Sequence, residues 1–445
     1  MARRSKQKTF QSPKGMSDIL PGVHKYWEKF FKVSKEFATY YGFETIEPPV
    51  LEFAEVFNKG VGASTDIVEH EMYTLKTKGG DFLALRPELT AGVVRAYIEN
   101  SFFNQPQPVK FFHHGPVFRH ESPQAGRYRS FHQADFDVIG ESDAVVDAQL
   151  IQLIYSVLSE IGLKNLTIRI NSIGDKNCWN KYRDEVKMYY RSKVNRLCKN
   201  CKKRFKENPL RLLDCKEEDC VVLKATAPNS IDYLDKACHD HFKLVLEFLD
   251  ELSLPYILDP YLVRGLDYYT RTVFEIAPED VGGSQITLAS GGRYDYLVEE
   301  LGGKQTPATG GSIGIERVVN EMRRQELKVA TLKPKIRVFP AQLGDMAKKK
   351  SLKLFGEFRK NNIPVCESFG RDSIKAQLRV ADHLGVDLAL IIGQKEAIDN
   401  TVIIKEMQSG IQEIIPLEKI IDEVKKRLKK ITPRVLGQVN NHENN

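Results

Sequence analysis

VKFFHHGPVFRHESPQAGRYRSFHQADFDVI, residues 109–139, is the stretch that decides the fold. Two runs rich in aromatic and β-branched residues, 109–120 and 130–139, flank a polar stretch, 121–129, that contains Pro123 and Gly126. This pattern reads as a long antiparallel hairpin with a basic, mobile loop. Upstream, Trp27, Phe30, Phe31, Ser34 and Phe37 recur near helical spacing. They predict a helix over 24–41, with Gly42 at its C-terminal cap. A short strand over 43–46 follows, ended by Pro48 and Pro49. Downstream, 144–161 reads as a second amphipathic helix and 166–171 as a strand. Strand patterns resume at 273–277, 286–290 and 311–315, the last running into a helix. Antiparallel strands beside helices, split by an insertion, make an α+β domain.

The insertion covers 175–237. Lysine rises there, the apolar pattern weakens, and six of the seven cysteines fall between Cys178 and Cys238. It reads as a helical subdomain. A new unit begins near Lys333 and Pro334. Strands at 336–339, 364–367, 388–392 and 401–404 alternate with helices at 348–361 and 373–384, which suggests βαβ units around a partly parallel sheet. A basic helix spans 417–430. The expected division is a basic tail over 1–12, a domain in two parts over 13–174 and 238–330, and the insertion over 175–237. A terminal α/β domain over 331–434 and a flexible tail over 435–445 complete it.

A chain of 445 residues predicts about three domains at roughly 150 residues each. Hydrophobic residues at 42% and charged residues at 28% exclude extended disorder. Lys+Arg 66 against Asp+Glu 59 leaves +7, a mild excess that permits a nucleic-acid partner without requiring one. No uninterrupted apolar run reaches the ~18 residues of a membrane span, and no apolar leader follows the basic start. A cytoplasmic chain with reduced cysteines is expected. Whether the basic start also addresses an organelle stays open.

Several short motifs could carry chemistry. Arg119, His120, Glu121, Arg127 and Arg129 cluster in the hairpin loop, with Phe131 just beyond. Guanidinium forks match phosphate oxygens, and an aromatic ring can stack on a base. Arg264-Gly265-Leu266-Asp267-Tyr268-Tyr269 joins a cation, a carboxylate and two phenols. Ser290-Gly291-Gly292-Arg293-Tyr294-Asp295 sets paired glycines beside an arginine at a strand end. Gly310 and Gly311 precede Glu316 and Arg317 at a helix start. In Leu85-Arg86-Pro87-Glu88-Leu89-Thr90, Glu88 and Thr90 are placed to cap a helix. His113 and His114 point to opposite faces of a strand, which suits packing better than metal binding. Cys198, Cys201, Cys215 and Cys220 have spacings close to a four-cysteine zinc site. Reduced thiols in a helical subdomain are the adopted reading, and no metal ligand is assigned.

Together and in this order, these segments resemble the class II aminoacyl-tRNA synthetases, and within them the histidyl-tRNA synthetase family. Phe118 to Gln133 resembles class motif 2, Gly314 to Arg317 motif 3, and the segment ending at Pro49 motif 1. Arg264 to Tyr269 and Ser290 to Asp295 resemble the two signatures particular to the histidine enzymes. The resemblance implies an antiparallel sheet flanked by helices, a helical insertion that clasps the acceptor stem, and a C-terminal α/β anticodon-binding domain. It implies a ligase that joins L-histidine to ATP and then charges tRNA(His), working as a homodimer away from membranes, with Mg2+ accompanying ATP. By the same resemblance, Arg119 and Arg264 act catalytically at the α-phosphate. Arg127 and Arg317 hold the outer phosphates, Glu121 the adenine edge and Phe131 the adenine face. Glu88, Thr90 and Gln133 hold the histidine amino group. Asp137, Tyr268, Tyr269 and Tyr294 form the imidazole pocket, with Arg264 beside it.

Three positions depart from the family pattern. Asp137 stands where glutamate is common, Leu89 where glycine is common, and Ser122 where arginine is common. The competing reading is a non-catalytic relative, the histidine-sensing regulatory subunit of ATP phosphoribosyltransferase. That relative typically lacks the terminal domain and some ATP-handling arginines, whereas Arg119, Arg127, Arg264 and Arg317 are all present here.

Overall fold

The computed structural model describes residues 10–63, 65–122, 126–215, 217–279, 287–330 and 336–431. Expected features outside these residues are most of both tails, Pro123 of the loop, Ile286 and the Lys333-Pro334 boundary. The chain divides into two compact units, Met1–Ala330 and Thr331–Asn445.

The first unit is organised by the hairpin. Strands Val109–Phe118 and Ser130–Ile139 pair antiparallel from Val109↔Ile139 to Phe118↔Ser130. They extend into an eight-stranded sheet. Its order is Glu44–Thr45, Val109–Phe118, Ser130–Ile139, Ala308–Gly314, Ala289–Arg293, Thr270–Pro278, Leu166–Ser172 and Tyr256–Leu258. Only the two edge pairings are parallel.

Alternation along one strand sets the two faces of this sheet. Ala134, Phe136 and Val138 join the main core, where helices Pro21–Tyr40, Ala144–Ile161 and Lys236–Glu251 pack through Phe30, Ile151, Ile154 and Val245. Gln133, Asp135 and Asp137 face the other way. There a smaller cluster forms from Val93 and Tyr97 of helix Thr90–Glu99 together with Tyr268, Tyr269 and Tyr294. The polar residues of the hairpin therefore open on the face that the three core helices leave uncovered.

The helix near the N-terminus starts at Pro21, whose fixed φ suits a first turn. It ends where expected: Gly42 takes φ +73°, a left-handed conformation that costs glycine little, and Phe43 N–H then reaches Ala38 O at 2.8 Å. Helix Ala144–Ile161 is the one described helix long and apolar enough to cross a membrane. Here it is a central core helix.

That helix carries a buried ion pair. Asp147 and Arg293 are 2% and 0% exposed. Arg293 Nη2 donates to Asp147 Oδ1 at 2.8 Å, and His241 Nε2 lies 2.9 Å from Asp147 Oδ2. Burial alone would push the Asp147 carboxyl up, but Arg293 and His241 outweigh it and hold it near 2. Arg293, part of a suspected ligand signature, is thus a core cross-link between strand and helix. Asp147→Ala leaves this guanidinium buried and unpaired. The expected cost is about 3–5 kcal/mol, read as a lower chemical-denaturation midpoint. An unchanged midpoint would contradict the assignment.

The sequence underestimates two small elements. Strands Leu51–Phe53, Thr74–Lys76 and Phe82–Leu85 form a separate three-stranded sheet. It leaves Leu51, Phe53, Leu75 and Phe82 exposed, Phe53 by 56% and Phe82 by 61%. The insertion folds as helices Lys176–Arg191, Lys199–Glu207 and Glu218–Lys224 with 3-10 turns between them.

The second unit is a four-stranded sheet in the order Val338–Gln342, Leu388–Ile392, Thr401–Glu406, Gln412–Pro416. Its first pair is parallel and the rest antiparallel. Helices Asp345–Lys360, Ile374–His383, Gln394–Asp399 and Ile420–Lys430 accompany it. The strand expected over 364–367 is reduced to a single bridge, Val338↔Val365. Pro364 cannot donate to a ladder, and only Cys366 N–H reaches across, to Val338 O at 3.3 Å. Lys and Arg outnumber Asp and Glu in this unit by as much as in the whole chain, so residues 1–330 are balanced.

Candidate active site

On the open face of the large sheet lies a cavity of about 180 Å³. Glu88, Thr90, Arg119, Glu121, Arg127, Phe131, Gln133, Arg264, Tyr268, Tyr269, Tyr294 and Arg317 all line it. Segments scattered from residue 88 to residue 317 converge because the hairpin, the strand end at Ser290 and the strand leading to Arg317 are neighbours in one sheet.

One end is cationic. Arg119 Nε donates to Pro87 O at 2.8 Å, and its guanidinium lies 5.4 Å from the Phe131 ring centroid. Glu121 sits between Arg119 and Arg127, at 3.9 and 3.7 Å. Arg317 is held by the carbonyls of Gly126 and Thr287 at 3.1 and 2.9 Å. Burial and the nearby Arg119 lower its proton affinity, as expected for cations gathered without an anion. Arg264 pairs with Glu275 and donates from Nη2 to Ser290 Oγ at 2.6 Å. These are guanidinium forks fixed by side chains and carbonyls behind them, a layout that fits a polyphosphate.

The other end is acidic and dry. Glu88 accepts from the backbone N–H groups of Thr90 and Ala91, both at 2.8 Å. It caps helix Thr90–Glu99 and faces the cavity at once, while burial raises its carboxyl above the ordinary range. Tyr268 Oη donates to Glu88 at 3.3 Å. Leu89 sits at φ −103° and ψ −32°, a conformation open to any L-residue, so this departure leaves the local backbone unstrained.

Asp137 does not line the cavity itself. It stands directly behind, and Tyr294 Oη donates to its Oδ1 at 2.5 Å. A Cβ on Gly310 would lie 2.3 Å from that Oδ1 and 3.0 Å from Tyr294 Oη, so the glycine leaves room for this pair. Asp135, which the sequence reading passed over, does line the wall. Burial first, and then Asp137, push its carboxyl well above the usual range. The strand period of two puts Gln133, Asp135 and Asp137 on one face, which is the signal that could have found it. Gln133 Nε2 donates to Ser312 Oγ at 2.6 Å, a second partner absent from the sequence reading.

Neither member of the suspected histidine pair enters the site. His113 is buried against Arg86 Nη1 at 3.1 Å and Ile46 O at 2.6 Å, and burial with Arg86 lowers its pKa to about 4. His114 packs on Phe31, ring centroids 4.8 Å apart.

Burial pushes Asp137 up from an ordinary 3.8 to about 7. Between those values only the folded protein keeps the proton, so its contribution to stability is complete at low pH and lost as pH rises through about 7. Asp137→Asn removes this loss. The ligand-free variant is expected to unfold at a higher temperature than the parent at pH 8 and to lose that advantage by pH 4, where both carboxyls are protonated. A pH-independent difference in melting would contradict the assignment.

Comparison with known proteins is decisive here. The family model described as histidyl-tRNA synthetase matches residues 15–318, and that for an anticodon binding domain matches residues 316–427. The chain belongs to the histidyl-tRNA synthetase family. Among relatives of this synthetase, a histidine–tRNA ligase of Dehalococcoides mccartyi is 42% identical over 419 residues, 94% of this chain and 100% of that protein. One from Halothermothrix orenii is 41% identical over 416 residues, 94% and 99% of the two chains. The apo histidyl-tRNA synthetase of S. aureus superimposes with a TM-score of 0.75 at 31% identity, covering 94% of this synthetase and 100% of the other.

Proposed function

We propose that this chain is a histidine–tRNA ligase. It joins histidine to ATP, giving histidyl-adenylate and pyrophosphate, and then passes the histidyl group to the terminal adenosine of tRNA(His). The observation that carries this reading is the polarity of the one cavity. Four arginines, Arg119, Arg127, Arg264 and Arg317, share it with the buried carboxyls of Glu88 and Asp135. A triphosphate needs the first end, and an ammonium group beside an imidazole suits the second.

In the first step a histidine carboxylate oxygen bonds to the α-phosphorus as the bond to pyrophosphate breaks. Such a step is governed by positioning and charge neutralisation. Arg119 and Arg264 neutralise the α-phosphate, and Arg127 and Arg317 hold the outer phosphates. Glu121 takes the adenine edge and Phe131 its face. Mg2+ enters with ATP, held by phosphate oxygens, and screens the outer phosphate charge. Glu88, Thr90 and Gln133 take the amino group. Tyr268, Tyr269 and Tyr294 enclose the imidazole, and Asp137 acts on it through the wall that Tyr294 and Asp135 complete. Buried polar groups left unpaired by a different side chain make the pocket selective.

Residues 13–174 and 238–330 are assigned to catalysis, 175–237 to the inserted subdomain and 331–434 to anticodon binding. The exposed Leu51, Phe53, Leu75 and Phe82 lie close to the motif 1 segment, which supports a homodimer through this sheet. The enzyme is placed in the cytoplasm, with its substrates. A histidine sensor without ligase activity has no need of four phosphate-facing arginines. The test is ATP–pyrophosphate exchange with each of the twenty amino acids in turn. Histidine alone is expected to support exchange, and exchange driven by another amino acid, or none at all, would overturn the reading.

A further inference from the structure

Outside the cavity, the densest group of unused chemistry lies in the insertion. Cys198 caps helix Lys199–Glu207 and Cys201 lies in its first turn. Cys215 follows the turn Pro209–Asp214, and Cys220 lies in the first turn of helix Glu218–Lys224. Their four sulfurs all lie within 4.8 Å of one another. Cys198 Sγ stands 3.9 Å from Cys215 Sγ. That is nearly twice the ~2 Å of a disulfide, so no bond joins them. It is close to the edge of a tetrahedron of thiolates, since ligands ~2.3 Å from a central Zn2+ stand about 3.8 Å apart. Backbone amides already aim at two of the sulfurs. Cys201 N–H donates to Cys198 Sγ, and Cys198 N–H to Cys220 Sγ, both at 3.4 Å. Such donors favour the thiolate form.

We propose that Cys198, Cys201, Cys215 and Cys220 bind one structural Zn2+ that holds the inserted subdomain together. No open ligand position remains on a four-thiolate ion, so its role is folding rather than catalysis. The subdomain needs such a staple. Beyond helix Lys176–Arg191 it consists of short helices and 3-10 turns. Its core centres on Tyr182, Val186, Tyr190, Leu212 and Leu213, with three of the cysteines themselves. A core this small gains stability when an ion cross-links its turns.

A second group, Asp175, Cys178, Asp235 and Cys238, is equally close. Its members already have other work. Asp175 caps helix Lys176–Arg191, Asp235 caps helix Lys236–Glu251, and Asp235 N–H donates to Cys178 Sγ at 3.2 Å. It is therefore excluded from the proposal, which predicts a single ion per chain.

The ion would act on the active site from a distance. Arg204 and Arg211 reach Asp66 at 2.5 and 3.4 Å, and Lys203 reaches Glu69 at 2.5 Å. Ile67, between those two acids, lines the cavity. The cysteine turns thus anchor the segment that supports one wall.

The full-length protein, purified without chelator or added metal, is analysed for metals by mass spectrometry. One equivalent of zinc per chain is expected. Cobalt exchanged into the parent protein is expected to show the intense thiolate charge-transfer bands of a four-sulfur site. Cys198→Ser with Cys215→Ser is expected to lose the metal and to become sensitive to limited proteolysis within the insertion. Cys178→Ser is expected to keep it. Protein that neither carries zinc nor takes it up overturns the proposal, as do iron in its place, zinc retained by the double variant, or cobalt without sulfur bands. The cobalt spectrum needs only the parent chain, so a double variant that fails to fold leaves the test intact.

Discussion

Arg264→Ala is expected to slow histidyl-adenylate formation by roughly 10²–10³-fold, the usual loss when one preorganised donor at a developing charge is removed. The arginine is fixed before any substrate arrives. It pairs with Glu275, donates to Ser290 Oγ at 2.6 Å, and lies 5.9 Å from the Tyr269 ring centroid. The protein therefore meets the cost of orienting this charge during folding, not during reaction. Alanine leaves the α-phosphate facing Arg119 with its second cation gone. Histidine binding is expected to change far less, because Glu88, Gln133 and the tyrosines keep their own partners. Lysine at this position should recover only part of the rate, since a point charge cannot engage Glu275, Ser290 and a phosphate in one fork. The measurement is pyrophosphate exchange resolved into turnover and histidine KM, with calorimetry for histidine alone. Unchanged turnover, or a loss confined to KM, would show that Arg264 serves binding instead. Glu275→Gln offers a companion test: the cation stays but its orientation loosens, so turnover should fall by less than in Arg264→Ala.

How far the sequence announced all this depends on the range of the interaction that fixes each residue. The hairpin was legible because two long β-rich runs with proline and glycine between them admit one local solution, and the strands run over 109–118 and 130–139. The helix over 144–161 was legible from its own periodicity. The strands of three or four residues at 51–53, 74–76 and 82–85 are too short to show a period. Strand Gln412–Pro416 is mostly exposed, so nothing in its pattern separates core from solvent. Residues 364–367 look strand-like but find one bridge, because pairing depends on a neighbour the segment does not encode. At the site, the resemblance supplied the arginines. It could not say that Arg293, next to Tyr294 in the same signature, turns into the core toward Asp147 while Tyr294 faces the cavity. Alternation along a strand predicts opposite directions for neighbours, but which one meets the ligand depends on which face the helices cover. Asp135 shows the converse. Its position between Gln133 and Asp137 was sufficient to place it on their face, yet no motif drew attention to it.

Removing residues 331–445 is expected to leave histidine-dependent pyrophosphate exchange within about twofold of the parent, because the first unit has its own core and contains every residue lining the cavity. Charging of tRNA is expected to fall by roughly 10³-fold or more in kcat/KM, the scale that separates specific from non-specific nucleic-acid binding. The reasoning is electrostatic before it is structural. Residues 1–330 are balanced in charge, so all of the chain's excess positive charge goes with the second unit. Phosphate contacts supply much of the affinity for nucleic acid, and each one lost lowers the dependence of binding on salt. The shortened chain should therefore bind tRNA more weakly and with a flatter salt response, and its residual charging should discriminate poorly among tRNAs, since unpaired loop bases carry sequence information. Filter binding across a salt series, run beside aminoacylation of tRNA(His) and a non-cognate tRNA, separates the two effects. Charging at the parent's rate would show that the second unit does not read tRNA, while lost exchange would show that it is needed to build the catalytic site.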